Sequence, residues 1–179
     1  MWYTVGFKEG IVQVVREPEK LGFAEPVVCA FDIEATKMPL MYHNAEYDQV
    51  FMLSYMLDKQ GYLLINREVV SEDIEDFEYT PKPEFEGPFL VVNLANEKEL
   101  LRHWFDHMRE VKPSIYVTYN GDGFDWPFIE QRASSHGLNM HYEIGFKCDL
   151  KTKECRSRFA LHLDCFCWVQ RDSYLPQGS

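Results

Sequence analysis

The spacing of apolar residues changes along this chain, and that change limits the fold more than any other feature. Residues 2–7 and 11–15 alternate β-forming side chains around Lys8-Glu9-Gly10 and predict a hairpin. Residues 27–31 (Val-Val-Cys-Ala-Phe) form a short continuous apolar run, the pattern of a strand buried on both faces. Residues 49–57 and 61–68 predict two further strands that join it as a meander. From residue 89 onward strands alternate with helices. A strand over 89–94 precedes Leu100, Leu101, Trp104, Phe105, Met108 and Val111 at helical spacing, behind an Asn96/Glu99 capping box and ahead of Pro113. A strand over 115–119, a turn over 120–123 and a helix over 126–136 follow, the helix opened by Asp125 and Pro127 and closed by Gly137. A last strand over 159–163 runs into a short helix over 164–170. A meander followed by strand and helix alternation predicts an α/β fold with a mixed β-sheet flanked by helices.

A length of 179 residues suits one domain with a core of its own. The longest apolar runs fall far short of the ~20 residues a bilayer span requires, and residues 1–10 lack the pattern of a signal peptide. The expectation is a chain that is neither secreted nor membrane-bound. A net charge of −11 repels phosphates, so any nucleic-acid contact must be local or assisted by metal. The acidic excess concentrates in residues 72–86, expected to be a solvated loop. Lys147, Lys151, Lys153, Arg156 and Arg158 make the opposite cluster, either a DNA-facing edge or a mobile surface loop, the loop being favoured. Cysteines at 29, 148, 155, 165 and 167 are odd in number and suit reduced thiols in a cytosolic or nuclear setting. The pairs 148/155 and 165/167 lie outside the usual zinc-knuckle spacing.

Asp32 and Glu34 stand at i and i+2 on the first buried strand, so both carboxylates leave the same face. Negative charges beside a core need a partner, and a divalent cation with oxygen ligands is an efficient one; the plainer alternative is a solvated strand end. Residues 119–125 (Tyr-Asn-Gly-Asp-Gly-Phe-Asp) end another strand in a glycine turn and deliver Asp125 at the start of a helix. Strand ends converge in an open α/β sheet, so Asp125 can meet Asp32 and Glu34. A plain N-cap is the alternative for Asp125, and a turn residue for Asp122. The sequence contains no H-E-x-x-H pair and no G-x-S-x-G elbow, and Gly121-x-Gly123 lacks the third glycine of a dinucleotide loop.

Phe31-Asp32-Ile33-Glu34 resembles the first exonuclease motif, and Asn120-Gly-Asp-Gly-Phe124-Asp125 the second, of the proofreading domain in family B DNA polymerases, which has a ribonuclease-H-like fold. The text of residues 70–83, 86–89, 117–122, 125–128 and 171–176 narrows the resemblance to the large eukaryotic replicative enzymes. The resemblance implies 3′→5′ hydrolysis of the terminal phosphodiester of mispaired DNA by two divalent cations, Mg²⁺ or Mn²⁺. Asp32, Glu34 and Asp125 would be the catalytic metal ligands, and Asn120, Phe124 and Ala35 would meet the terminal nucleotide. Asx turn and core aromatic stay open as alternatives for Asn120 and Phe124. It further implies a single-stranded primer 3′ end as substrate, a polymerase domain and accessory subunits as partners, and a nuclear location. Zinc or an iron–sulfur cluster would lie outside this sequence. Residues 1–26 would be a hairpin and linker from a preceding N-terminal domain, and 27–179 the exonuclease domain. Three departures stand out. No Tyr-x3-Asp third motif, source of a fourth carboxylate, occurs before Ser179; Ala35 stands where the family usually has threonine; and Gly123 stands where the members it most resembles usually have an aromatic. A catalytically silent structural or DNA-binding module is the alternative reading.

Overall fold

The computed structural model describes residues 2–20, 25–78, 87–149 and 151–172. Strands β1 (Trp2–Lys8) and β2 (Ile11–Glu17) pair antiparallel as a separate two-stranded sheet. Then come β3 (Val28–Ala35), β4 (Val50–Leu57), β5 (Gln60–Asn66), β6 (Phe77–Glu78), β7 (Pro88–Leu94), helix α1 (Glu97–Val111) and β8 (Ile115–Thr118). Helices α2 (Asp125–Ser135) and α3 (Met140–Ile144), strands β9 (Phe146–Asp149), β10 (Glu154–Ser157) and β11 (Leu161–Asp164), and helix α4 (Cys165–Asp172) complete the order. The main sheet runs β11-β8-β3-β4-β5-β7-β6. β11, β8 and β3 are parallel, β4 is antiparallel to both β3 and β5, and β7 is parallel to β5. This is the mixed α/β sheet that the change in apolar spacing predicts. The linker residues 21–24, the acidic and proline-bearing stretch over 79–86, and residues 173–176 lie outside the described residues.

β3 departs from expectation in a way that matters. It is not buried on both faces: Cys29, Phe31, Ile33 and Ala35 face the core, while Val28, Ala30, Asp32 and Glu34 face outward. The apolar run misleads because Val28 and Ala30 lie on the open face as unremarked small apolar residues. The strand also continues through Ala35, so the two carboxylates sit within it, not at its end. On the core face Phe31 lies between Trp104 of α1, with ring centroids 4.9 Å apart, and Trp126 of α2, at 4.7 Å. Phe146 stacks on Trp126 at 3.8 Å. Burying aromatic rings of this size fixes the two helices against one face.

The basic stretch is a hairpin, not a mobile loop. β9 and β10 pair antiparallel with Cys148 opposite Cys155 and Lys147 opposite Arg156. Strand alternation turns the cysteines inward and the cations outward. Cys148 and Cys155, 4.0 Å apart at Cα, are joined as a disulfide, which corrects the expectation of reduced thiols for this pair. Six intervening residues are unsuitable for a zinc knuckle but are what a short strand, a turn and a return require. Cys29, Cys165 and Cys167 are free.

Candidate active site

β8 pairs with β3 only through Val28, Cys29 and Ala30 and then turns away at Thr118. The edge of β3 beyond Ala30 therefore faces a notch, and its amides need other acceptors. The carboxylate of Asp125 enters there: Oδ1 accepts the Ile33 N–H at 3.2 Å. Asp125 is not the N-cap, as the plainer sequence reading has it, but the first residue of α2, after an N-cap Phe124 that supplies no side-chain bond. Its carboxylate is thus spent on the strand edge, 92 residues away in sequence.

Asp125 is 2% exposed. Burial, then the negative charge of Asp32, push its carboxyl up to about 7, against the pull of the Ile33 and Asp125 amides. Asp32 is also raised, by partial burial, with a side-chain hydrogen bond to Asp125 opposing the shift. The two acids therefore touch. Glu34, two residues further on, shares the outward face of β3 with Asp32. Asp32 and Asp125, oxygen donors in contact beside a core, suit a hard divalent cation, which would relieve the repulsion that a shared proton relieves otherwise. An open groove of about 620 Å³ runs from Asp32 past Ala30, Ser54, Met56, Thr118 and Tyr119.

The other expected site residues are placed differently from one another. Asn120 is exposed, at φ +65°, and its amide belongs to the turn. A Cβ added at Gly123 would stand 2.5 Å from Asn120 Oδ1, so the carboxamide folds over the glycine, and an aromatic there would displace it. Gly121 is under stricter demand, because an added Cβ would stand 2.2 Å from Thr118 Oγ1 and 2.6 Å from its Cβ. Phe124 is half-buried, beside His43 at 5.1 Å and Phe128 at 5.3 Å. Ala35 points into the core, so only its backbone is available to a ligand on the open face.

Sequence reasoning missed Asp164 and His162. Asp164 accepts the amides of Asn120 at 2.8 Å, Asp122 at 3.1 Å and Phe166 at 2.9 Å. His162 Nε2 accepts the Trp126 indole at 3.1 Å and meets Thr118 Oγ1 at 2.8 Å. A signal exists: His162 and Asp164 repeat, on β11, the i and i+2 spacing of Asp32 and Glu34. Donor atoms of Asp122, Asp164 and Cys167 lie within 4.8 Å of one another. The Asp164 oxygens already accept three amides, and Asp122 Oδ1 accepts the Cys155 amide at 2.8 Å, so this group closes a turn and is a poorer cation site than the notch.

A mixed sheet whose acidic residues meet at a strand notch defines an acid-site α/β domain, and the sequence model of the DNA polymerase family B exonuclease domain matches residues 5–179. The chain belongs to that family. Among its relatives are two DNA polymerase epsilon catalytic subunits of Arabidopsis thaliana, 63% and 62% identical, each over 99% of this chain and 8% of the relative. The DNA polymerase epsilon catalytic subunit of Dictyostelium discoideum is 54% identical over 100% of this chain and 7% of the relative. The chain thus spans less than a tenth of the length of the relatives it matches.

Proposed function

We propose that this chain is the 3′→5′ proofreading exonuclease region of an epsilon-type replicative polymerase. It would remove mispaired nucleotides from a single-stranded primer 3′ end during leading-strand synthesis. The contact between Asp125 and Asp32 at the β3 notch, with Glu34 on the same face, carries this reading.

Asp32, Glu34 and Asp125 would hold two divalent cations, Mg²⁺ or Mn²⁺, which when bound supply hydroxide from water and stabilise the leaving 3′ oxygen. The residues themselves do the remaining work. Ile33 N–H and the core behind it fix Asp125, and the open groove beside Asp32 admits a single strand. The exposed Asn120 offers hydrogen bonds to the terminal nucleotide, and Phe124 offers a ring edge or face for base stacking. The net charge of −11 is unfavourable for duplex binding by this region, and the relatives' name as catalytic subunits supports a polymerase domain and accessory subunits as partners and the nucleus as location. Residues 1–26, with their separate hairpin, fit a preceding domain and its linker.

The test uses the full-length polypeptide and a single-stranded oligonucleotide with Mg²⁺. Replacing Asp32→Ala together with Glu34→Ala should lower cleavage by on the order of 10³-fold, the loss of several kcal/mol of charge stabilisation. Equal cleavage by the double variant would overturn the assignment, and a wild type without carboxylate-dependent cation binding would mark a silent module.

A further inference from the structure

The turn that carries Asp125 closes on itself through the Asn120 carbonyl, which accepts the Gly123 and Phe124 amides at 3.0 Å, and the Gly121 carbonyl, which accepts the Trp126 amide at 3.0 Å, but its own bonds leave the Asn120 and Asp122 amides to an outside acceptor. Asn120 occupies a left-handed conformation at φ +65°, which non-glycine residues adopt at some cost, and the helix begins without a side-chain cap. That outside acceptor, which anchors the turn to the sheet, comes from β11. Asp164 Oδ1 accepts the Asn120 amide at 2.8 Å and Oδ2 accepts the Asp122 amide at 3.1 Å, so one carboxylate spans the turn. The same Oδ1 accepts the Phe166 amide at 2.9 Å and ties the turn to the start of α4. Two residues earlier, His162 grips the far side. Its Nε2 accepts the Trp126 indole, which assigns the ring proton to Nδ1, and Nδ1 stands 3.4 Å from Asp122 Oδ1. One strand thereby holds residues 118, 120, 122 and 126, on both sides of Asp125.

We propose that Asp164, supported by His162, is a positioning residue for the hydrolysis described above: it aims Asp125 into the β3 notch and so sets how tightly the Asp32–Asp125 pair grips a divalent cation. The proposal rests on the cation reading of that pair. Asp164 is 7% exposed, and its oxygens are taken by amides, so it acts by holding backbone and not by ligating. Partners one step removed from a metal orient the ligands in this way, and their loss ordinarily weakens binding by about 10–100-fold.

The experiment compares Asp164→Ala and Asp164→Asn with the wild type in the full-length polypeptide. Mn²⁺ affinity is read by electron paramagnetic resonance of the free ion, beside cleavage of a single-stranded oligonucleotide at varied Mn²⁺ and a melting curve without metal. Asp164→Ala should weaken Mn²⁺ binding by about tenfold or more, and Asp164→Asn, which keeps one acceptor oxygen, by less. The Mn²⁺ needed for half-maximal cleavage should rise in step, while KM for DNA stays within about twofold. Unchanged Mn²⁺ affinity in the folded variants overturns the proposal, as does a loss no larger than the fall in folded protein. Where the alanine variant does not fold, unchanged affinity in Asp164→Asn has the same force. Asp32→Ala run in parallel separates the two layers. If it leaves Mn²⁺ binding intact, the cation reading falls and takes the positioning role with it; if it abolishes binding while both Asp164 variants bind normally, only the positioning role falls.

Discussion

Glu97 and Asp125 are buried to nearly the same depth, 1% and 2% exposed, yet their carboxyls are shifted in opposite directions. Both open a helix, and both send their carboxylates to a strand amide, Glu97 to Val50 at 2.7 Å and Asp125 to Ile33 at 3.2 Å. Around Glu97 the protein supplies everything else. Arg132 approaches through Nε at 2.9 Å and Nη2 at 2.5 Å, and His136 Nε2 stands at 2.7 Å. Burial pushes the Glu97 carboxyl up, and these partners together bring it below the ordinary value. Asp125 has instead a second acid, Asp32, for a neighbour, and is pushed up to about 7. One acid is complete within the fold and knots α1, α2 and β4 together. The other is left with a demand that only a proton or a cation can meet. Burial alone thus does not distinguish a carboxylate that the fold completes from one that it leaves open; the sign of the nearest charge does.

The largest effect belongs to Glu97. Glu97→Ala leaves the Arg132 guanidinium buried without its partner and should destabilise the domain by about 3–5 kcal/mol in urea unfolding. Asp125→Asn should do the reverse in metal-free protein. A folded-state value raised from 3.8 to about 7 means that the stability linked to a protonated Asp125 is full below the lower value and is lost as pH rises through the upper one. The wild type should therefore lose stability across that window, while the asparagine variant, neutral throughout, stays flat in it. Above the window the variant should be more stable by roughly 1–3 kcal/mol. Added Mn²⁺ should raise the melting temperature of the wild type and leave that of the variant nearly unchanged. The smallest effect belongs to Asn96, whose side chain accepts the Glu99 amide at 3.0 Å just outside the Glu97 knot. Asn96→Ala should cost about 1 kcal/mol by removing that cap, with no change in the pH profile.

Much of this is legible in the sequence wherever a pattern is local. The helical spacing of Leu100 to Met108 gives α1, whose buried face includes Leu100, Leu101, Trp104, Phe105 and Met108. Asp32 and Asp125 stand out as acids beside apolar runs, and the structure brings them together. What escapes notice depends on long-range partners. Glu97 goes unremarked in the sequence, because nothing near it announces Arg132, 35 residues later. Asp164 reads as a helix start, which it is, since it caps Phe166; its grip on the 120–122 turn crosses 44 residues. The β9–β10 hairpin looks polar and mobile because only its inward face, Phe146, Cys148 and Cys155, is apolar. Ala35 is expected at the substrate from its place after Glu34, yet strand alternation turns it the other way.

β8 spans only Ile115–Thr118 beside the longer β3. Because that strand stops a few residues short of its neighbour, the opening beside Ile33 is a property of spacing along the chain, independent of which apolar residues fill the strand. Conservative swaps among Ile115, Tyr116 and Val117 would leave the opening where it is. One extra residue inserted among them would carry the ladder a rung further, reverse which side chains face the aromatic core, and hand the Ile33 amide to a carbonyl in place of an acid.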